Sequence, residues 1–176
     1  AVENRHKILR DLEKEFSRPI CILADLQGPK LRCGDFQAAK VSLEAGQKFC
    51  FDLIESAGNK ERVCLPHPQI FQSVKTGDKL LIDDGKIALE VREVSENKIA
   101  CNGLNDGIIS DKKGVNCPDS ILDLAPLTEK DKKDLEFVCS LGVDWIGLSF
   151  VQRAKDVDDV KNLLSGRAGI IAKIEK

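Results

Sequence analysis

Methionine is absent from this sequence of 176 residues, and histidine occurs only twice. The seven cysteines include no Cys-x-x-Cys pair, so the sequence lacks the ligand spacing of a structural zinc site. It also lacks an apolar stretch of the roughly 18 residues that a membrane span needs, and it has no basic segment leading into an apolar one. We therefore expect neither a membrane span nor a secretory signal. We expect the cysteines to be reduced thiols of a cytoplasmic protein, used as small apolar residues.

The charges of the sequence are nearly balanced. Lys and Arg together number 27 and Asp and Glu 29, which gives a formal net charge of -2. Without an excess of positive charge, we expect no nucleic-acid partner. Hydrophobic residues make up 42% of the chain, which is enough to fill a core and argues against disorder. The length corresponds to one domain or to two small ones.

The two ends of the sequence fall at predicted elements. Ala1 stands at the start of an amphipathic helix predicted for residues 2–16, and no methionine precedes it. Lys176 directly follows the polar tripeptide Lys173-Ile174-Glu175, which is a candidate functional site. We expect the sequence to be a segment of a longer protein.

Helical and strand patterns alternate along the two flanks of the chain. Predicted helices cover residues 2–16, 128–142 and 154–164, and short apolar runs predict buried strands at 20–24, 143–151 and 169–172. In the last helix we expect Val160 and Leu164 to face the core and Asp156 to face solvent. Strands that alternate with helices indicate parallel βαβ units.

The middle of the chain, residues 35–114, has a different pattern. Short alternating runs are separated by turn residues, and Asp83-Asp84-Gly85 between two runs is typical of a β-hairpin. This pattern predicts a small antiparallel barrel or sandwich that is inserted between two α/β segments, 1–34 and 115–176.

Polar groups follow each of the three predicted strands of the flanks. Alternation places Lys173 and Glu175 on one face, which suits metal-assisted chemistry on an anionic substrate but also fits a plain ion pair at a strand end. The other two strands lead into the segments 25–32 and Ser149-Phe150. In a (β/α)₈ barrel, functional groups come from the carboxyl ends of the strands, so the three segments form one candidate site.

Two basic segments are candidates for phosphate contacts. Lys30 and Arg32 follow a Gly-Pro turn, and Arg offers a planar fork that fits phosphate oxygens. Lys112-Lys113-Gly114 lies where the middle segment ends and could close over a nucleotide. Either segment could instead be an exposed basic loop.

Four other residues are weaker candidates. Asp83 could reach a metal or nucleotide, although Asp-Gly is also a favoured hairpin turn. Cys33 and Cys117 could be reactive, but only Arg32 is close in sequence to lower a thiol pKa. His67 lies between two prolines, where a structural role in a surface loop is the stronger interpretation.

Six motifs together resemble those of pyruvate kinases in order and spacing. They are Ile22-Leu23-Ala24-Asp25-Leu26-Gln27-Gly28-Pro29-Lys30-Leu31-Arg32, Leu81-Ile82-Asp83-Asp84-Gly85, Lys112-Lys113-Gly114-Val115-Asn116, Leu127-Thr128-Glu129-Lys130-Asp131, Leu148-Ser149-Phe150-Val151 and Ala172-Lys173-Ile174-Glu175. The resemblance spans essentially the whole chain. It implies an α/β fold, with part of a TIM (β/α)₈ barrel and a complete inserted lid domain built as a small antiparallel β-barrel.

The resemblance also implies roles for particular residues. Lys173 would be the catalytic and substrate-binding cation, and Glu175 would be one ligand of Mg²⁺ or Mn²⁺. Arg32 and Lys113 would contact the nucleotide phosphates. Asp25 and the carbonyl of Leu26 would border a monovalent-cation site. The implied reaction transfers the phosphoryl group of phosphoenolpyruvate to ADP, giving pyruvate and ATP in glycolysis.

One departure from the family pattern concerns potassium. Many pyruvate kinases have an acidic residue where this chain has Lys30, and Thr and Lys where it has Leu26 and Gln27. The acidic version is associated with a potassium requirement, and an ammonium at position 30 can supply the missing charge. We therefore expect an intact enzyme that does not require K⁺.

The resemblance places other parts of the enzyme outside this chain. An Arg-x-Asn-x-Ser segment would lie upstream, and the second magnesium carboxylate, a threonine and the effector-binding domain would lie downstream. We expect the full-length protein to be a homotetramer and the segment alone to be inactive. Two alternatives remain open: a magnesium-dependent lyase acting on 2-oxo acids, and a non-catalytic module that binds a nucleotide or a partner.

Overall fold

The computed structural model of the protein describes residues 1–175 and divides them into two compact units. The first unit combines residues 1–29 with 125–175, and the second comprises residues 30–124. Among the described residues, no helix is both long enough and apolar enough to cross a membrane.

The elements are numbered here in chain order. They are α1 (Val2–Glu15), β1 (Leu23–Asp25), β2 (Lys40–Leu43), β3 (Lys48–Asp52), β4 (Arg62–Cys64), α2 (Pro68–Ser73), β5 (Lys79–Ile82), β6 (Ile87–Ser95), β7 (Lys98–Gly103), β8 (Gly107–Ser110), β9 (Val115–Asn116), α3 (Glu129–Leu141), β10 (Trp145–Leu148), α4 (Ala154–Leu164) and β11 (Gly169–Ala172).

The first unit is built on a three-stranded parallel sheet in the order β1-β10-β11. The parallel α/β architecture predicted for the flanks is confirmed. Ile146 and Leu148 on the central strand are fully buried, and Leu135 of α3 and Val160 of α4 belong to the same apolar cluster. The core of this unit therefore lies between the sheet and the helices α3 and α4.

Local sequence signals fix the ends of α3. Thr128 is the N-cap, and its hydroxyl accepts a hydrogen bond from the Asp131 backbone N–H. Gly142 ends the helix with φ of 76°, a left-handed conformation that glycine adopts without a steric penalty. The helix predicted between Thr128 and Gly142 is thus confirmed, and α4 also has its predicted bounds.

Three burial predictions in this unit are wrong. The runs predicted as buried strands contain Leu23, which is 49% exposed, and Ile171, which is 44% exposed, because both lie on the face of the sheet opposite the one that packs in the apolar cluster. Asp156 is buried rather than solvated, because one of its carboxylate oxygens accepts the backbone N–H groups of Gln152 and Arg153 at the start of α4.

The second unit contains two sheets. Strands β2 and β8 form an antiparallel pair, and a six-stranded sheet has the order β4-β3-β7-β6-β5-β9. Every pairing is antiparallel except that of β3 with β4, which is parallel. The predicted hairpin is present, with Ile82 paired to Ile87 and positive φ at Asp83, Asp84 and Gly85 in the loop.

The second unit extends beyond the predicted segment 35–114 at both ends. Arg32 pairs with Gly114 as an isolated antiparallel bridge, and β9 pairs with β5 after the predicted end of the segment. These backbone contacts attach residues 30–34 and 115–116 to the second unit, although the side-chain pattern there does not distinguish them from the flanks.

Candidate functional site

The candidate site of the first unit lies at the carboxyl edge of the parallel sheet. Asp25 ends β1, Ser149-Phe150 follows β10, and Lys173-Ile174-Glu175 follows β11. Because all three strands run in the same direction, these segments leave the sheet at the same edge. The structure therefore brings together the three strand-end segments that the sequence singles out within this unit.

Lys173 lies between two carboxylates. Its Nζ is 2.8 Å from Oδ1 and 3.1 Å from Oδ2 of Asp25, and 3.5 Å from Oε1 of Glu175. The predicted placement of Lys173 and Glu175 on one face agrees with this geometry. The contact with Asp25 was not predicted, because it depends on β10 lying between β1 and β11, which puts Asp25 and Lys173 roughly 10 Å apart across the sheet.

The two carboxylates keep Lys173 protonated. The hydrogen bond with Asp25 is the main cause that raises the pKa of Lys173 above its ordinary value, and the charge of Glu175 adds to it. Partial burial acts in the opposite direction but is outweighed. The ammonium is thus held in its charged form, and the Lys173 side chain is 31% exposed.

Glu175 is held by the backbone after β10. Its Oε2 accepts a hydrogen bond of 3.0 Å from the backbone N–H of Phe150. Phe150 has φ of 59°, a left-handed conformation that is unusual for a bulky side chain. Such strained residues occur preferentially at functional sites, where the surrounding structure holds them in place.

Buried hydrogen bonds fix the loop that follows β1. The Ser149 hydroxyl donates to the carbonyl oxygen of Leu26 at 2.6 Å, and the Gly28 N–H donates to the fully buried Asp131 at 3.2 Å. A Cβ at Gly28 would lie 2.8 Å from Cβ of Ser149, so the close approach requires glycine. The Leu26 carbonyl, predicted to border a cation site, is therefore already engaged by a hydroxyl.

In the second unit, Arg32 and Lys113 lie on neighbouring backbone segments. The Cys33 N–H donates to the Lys113 carbonyl at 2.9 Å, and Nη1 of Arg32 donates to the Lys112 carbonyl at 2.6 Å. Arg32 is exposed, and so is Lys30, the first residue of this unit. The two residues predicted to contact nucleotide phosphates are thus brought together within one unit.

Lys113 has a carboxylate partner that the sequence analysis did not assign to it. Its Nζ is 2.9 Å from Oδ1 of Asp83, while Lys86 binds Oδ2 of the same carboxylate at 2.9 Å. Hydrogen bonds from these two lysines lower the pKa of Asp83, and the bond from Lys86 has the larger effect. The sequence places Asp83 in a hairpin turn. It does not indicate that β9, which follows Lys113, pairs with β5 beside this turn.

The surroundings of three weaker candidates, His67, Cys33 and Cys117, indicate structural roles. His67 Nε2 accepts the Arg32 backbone N–H at 2.9 Å, and burial lowers the pKa of this imidazole. Cys33 and Cys117 are buried, and burial raises the pKa of both thiols, that of Cys117 to about 12. A thiol with a raised pKa is a poor nucleophile, so neither cysteine has the surroundings of a reactive one.

The described residues contain no group of three or more histidine, cysteine or acidic side chains arranged to hold a metal ion. Glu175 nevertheless presents a carboxylate, the type of hard oxygen ligand that Mg²⁺ prefers, at the carboxyl edge of the sheet. Its carboxylate oxygens fit the role of one ligand of such an ion. Residues 1–175 do not supply a complete set of ligands for it.

Comparison with known proteins decides the family. A sequence profile described as the pyruvate kinase barrel domain matches residues 2–176. The chain belongs to the pyruvate kinase family. Among the curated pyruvate kinases, one from Methylorubrum extorquens is 47% identical over 172 residues, and one from Agrobacterium vitis is 45% identical over 172 residues. The family resemblance carried by the six motifs is thereby confirmed.

A solved structure supports the same assignment. The crystal structure of a pyruvate kinase from Cryptosporidium parvum superimposes with a TM-score of 0.85 at 29% sequence identity, and the match covers 95% of this chain and 37% of that one. The two bacterial relatives are matched over 97% and 98% of this chain but over only 36% of their own length. The chain thus spans about a third of the pyruvate kinases that it matches.

Proposed function

We propose that this chain is part of an enzyme that transfers the phosphoryl group of phosphoenolpyruvate to ADP, giving pyruvate and ATP. The observation that carries the proposal is the placement of Lys173 between Asp25 and Glu175 at the carboxyl edge of a parallel sheet. Phosphoryl transfer depends on cations that neutralise charge on the transferred group, and a permanently protonated lysine provides one.

In this proposal Lys173 is the catalytic residue of the chain. Its ammonium contacts the phosphoryl group during transfer and stabilises the enolate of pyruvate afterwards. Asp25 holds the ammonium from one side through both carboxylate oxygens, which fixes its direction. Preorganised charge of this kind costs no rearrangement when the transition state forms.

Glu175 would hold Mg²⁺ or Mn²⁺ together with ligands from parts of the enzyme beyond this chain. The bound ion supplies charge neutralisation for the phosphoryl oxygens. The Phe150 backbone N–H orients Glu175 through one of its carboxylate oxygens. Arg32 and Lys113 would bind the phosphates of ADP and ATP, with Arg32 offering a planar fork and Lys113 a compact charge.

The second unit would act as the inserted lid of the enzyme, built as a small antiparallel β-barrel, and the first unit as part of a (β/α)₈ barrel. The antiparallel pairings of residues 40–116 support the first assignment, and the parallel β1-β10-β11 sheet supports the second. We further propose that the full-length enzyme is a cytoplasmic homotetramer. Its small-molecule ligands are ADP or ATP and phosphoenolpyruvate or pyruvate.

The test is an assay of the full-length enzyme that contains this chain. We expect pyruvate formation that depends on both ADP and phosphoenolpyruvate, and a loss of at least about a thousandfold in kcat for Lys173→Ala. Lys155→Ala is the matched control, since Lys155 is an exposed lysine of α4 whose ion-pair partner is Asp159 of the same helix. Absence of pyruvate formation, or a Lys173→Ala variant as active as the control, would contradict the proposal.

Independence from potassium is a separate part of the proposal. Lys30 would supply the charge that a bound K⁺ provides in other members of the family, and the Leu26 carbonyl is already engaged by the Ser149 hydroxyl. The same assay in buffer free of sodium and potassium should therefore show undiminished activity. An enzyme that is inactive in this buffer and recovers when potassium is added would refute the role of Lys30.

A further inference from the structure

The outer face of the six-stranded sheet carries a groove of about 820 Å³. It lies over strands β3, β7 and β6, and every residue that lines it belongs to the second unit. Its size falls within the range of small-molecule sites, roughly 300–1,000 Å³. Neither Arg32 nor Lys113 lines the groove, so it is distinct from the proposed nucleotide contacts.

Small side chains form the floor of the groove. Cys50 pairs with Ala100 and Lys48 pairs with Asn102 between β3 and β7, and these positions face outward while Phe49 and Cys101 beside them are buried. The two-residue alternation of each strand leaves Cys50, Ala100 and Asn102 half-buried on this outward face. A floor of short side chains between long ones makes the surface concave.

Basic side chains surround this floor on four sides. Lys48 stands at one end of the groove and Lys98 at the other, where Lys98 pairs with Asp52. The four-residue step from position 48 to position 52 corresponds to roughly 13 Å along a strand. Lys60 lines one long side and Arg92 the other.

A β-bulge in β6 shapes the second long side. The pairing of β6 with β7 shifts between Val91 and Glu93, so that Arg92 and Glu93 are both exposed although they are consecutive residues. Bulges re-aim side chains and occur preferentially next to functional sites. Here the bulge adds a cation and a carboxylate to the same groove.

The charge of the groove differs in sign from that of the protein. Four basic and two acidic side chains line it, whereas the whole chain has a formal net charge of -2. Arg92 pairs with Glu90 at 2.9 Å, but none of the ion pairs within residues 1–175 includes Lys48, Lys60 or Lys98. Three ammonium groups around one concave surface are thus available to an anionic ligand.

We propose that this groove binds a small organic polyanion, with phosphate or carboxylate groups near the lysines at its two ends and hydroxyl groups between them. Lys48 and Lys98 contact the terminal anionic groups as compact charges. The carboxylates of Glu61 and Glu93 supply hydrogen-bond partners for hydroxyl groups at the centre, and the Asn102 amide supplies one beside Lys48. The proposal does not rest on the proposed phosphoryl-transfer activity.

The test uses the 176-residue chain with inorganic tripolyphosphate as the probe. We expect titration calorimetry to show saturable binding. The sulfate buffer is kept at constant ionic strength, so that the screening of charges is the same throughout the titration. Amide resonances of residues 48–50 and 98–102 are expected to shift in NMR spectra at the same probe concentration. The double variant Lys48→Gln with Lys98→Gln is expected to bind about tenfold more weakly.

The matched control is the double variant Lys75→Gln with Lys79→Gln, which removes two exposed lysines of the same unit that do not line the groove. Circular dichroism of both variants checks that the fold is kept. Equal weakening in the two variants, shifts confined to the amides near Arg32 and Lys113, or no binding at all would each overturn the proposal.

Discussion

At the scale of single residues, the candidate site depends on a residue that has no side chain. Gly147 pairs with Asp25 in the sheet, and a Cβ placed on Gly147 would lie 2.9 Å from Oδ1 of Asp25. This distance is shorter than a normal non-bonded contact, so the Asp25 carboxylate occupies space that any other residue at 147 would fill. Glycine in the central strand thereby permits the contact between Asp25 and Lys173.

We predict that Gly147→Ala separates the Asp25–Lys173 pair. The added methyl group forces the Asp25 carboxylate away, and the distance from Lys173 Nζ to both oxygens rises above about 4 Å, the limit of an ion pair. A crystal structure of the variant measures this distance. We expect a stability loss of only about 1 kcal/mol, because Asp25 is exposed and can move.

The control for this variant is Gly114→Ala, since a Cβ on Gly114 meets nothing within 4 Å. It should leave the Asp25–Lys173 distance at 2.8 Å. A Gly147→Ala variant that keeps the 2.8 Å contact would show that Asp25 does not need the space above Gly147.

At the scale of elements, α3 supports the loop after β1 through one buried carboxylate. Asp131 accepts the Thr128 N–H at 3.0 Å and the Thr128 hydroxyl at 2.5 Å, which caps the helix, and it also accepts the Gly28 N–H at 3.2 Å. The capping motif was visible in the sequence. The link to Gly28 was not, because it joins positions 103 residues apart.

We predict that Asp131→Ala destabilises the first unit by about 3 kcal/mol. The change removes the half of the capping box in which Asp131 accepts the Thr128 N–H, and it leaves the buried Gly28 N–H without its acceptor, which costs about 1–3 kcal/mol by itself. Urea unfolding followed by Trp fluorescence measures the effect. Trp145 is the single tryptophan of the chain and belongs to the first unit, so it reports on that unit.

Asp134→Ala is the control in the same helix. The Asp134 side chain is 42% exposed and pairs with Lys130 on the helix surface, so its loss is expected to change stability by less than about 0.5 kcal/mol. If Asp131→Ala were as mild as Asp134→Ala, the buried hydrogen bonds of Asp131 would not be the support that the structure indicates.

At the scale of the whole molecule, the first unit has two unpaired strand edges. Strand β10 is paired on both sides, whereas β1 and β11 each have a single neighbour among the described residues. The sheet face that carries Asp25 also leaves Leu23, Trp145 and Ile171 between 41% and 49% exposed. Three strands cannot enclose a substrate in the way that a closed barrel does.

We predict that the 176-residue chain alone has no detectable turnover of phosphoenolpyruvate and ADP. The chain covers about a third of its relatives and supplies only part of the proposed metal site. The assay is the one proposed for the full-length enzyme, which is its positive control. Pyruvate formation by the isolated chain that disappears with Lys173→Ala would contradict this prediction.

The sequence by itself determined what depends on neighbours along the chain. The periodicities and caps identified α3 and α4, and the tripeptide Lys173-Ile174-Glu175 indicated charge at a strand end. The six motifs identified the family, since their order is a property of the sequence. These features could be predicted because they depend on residues close together in the sequence. A helix cap bonds to the adjacent turn, and the alternation of a strand places every second residue on the same face.

Only the tertiary structure decided which distant groups meet. The order β1-β10-β11 placed Asp25 beside Lys173, and the pairing of β9 with β5 placed Lys113 beside Asp83. Leu23 and Ile171 are exposed although the apolar composition of their strands predicts burial, because they lie on the face of the sheet opposite the apolar cluster. Composition records only that a residue can be buried, whereas the neighbours that cover it are set by which face of the sheet the helices pack against.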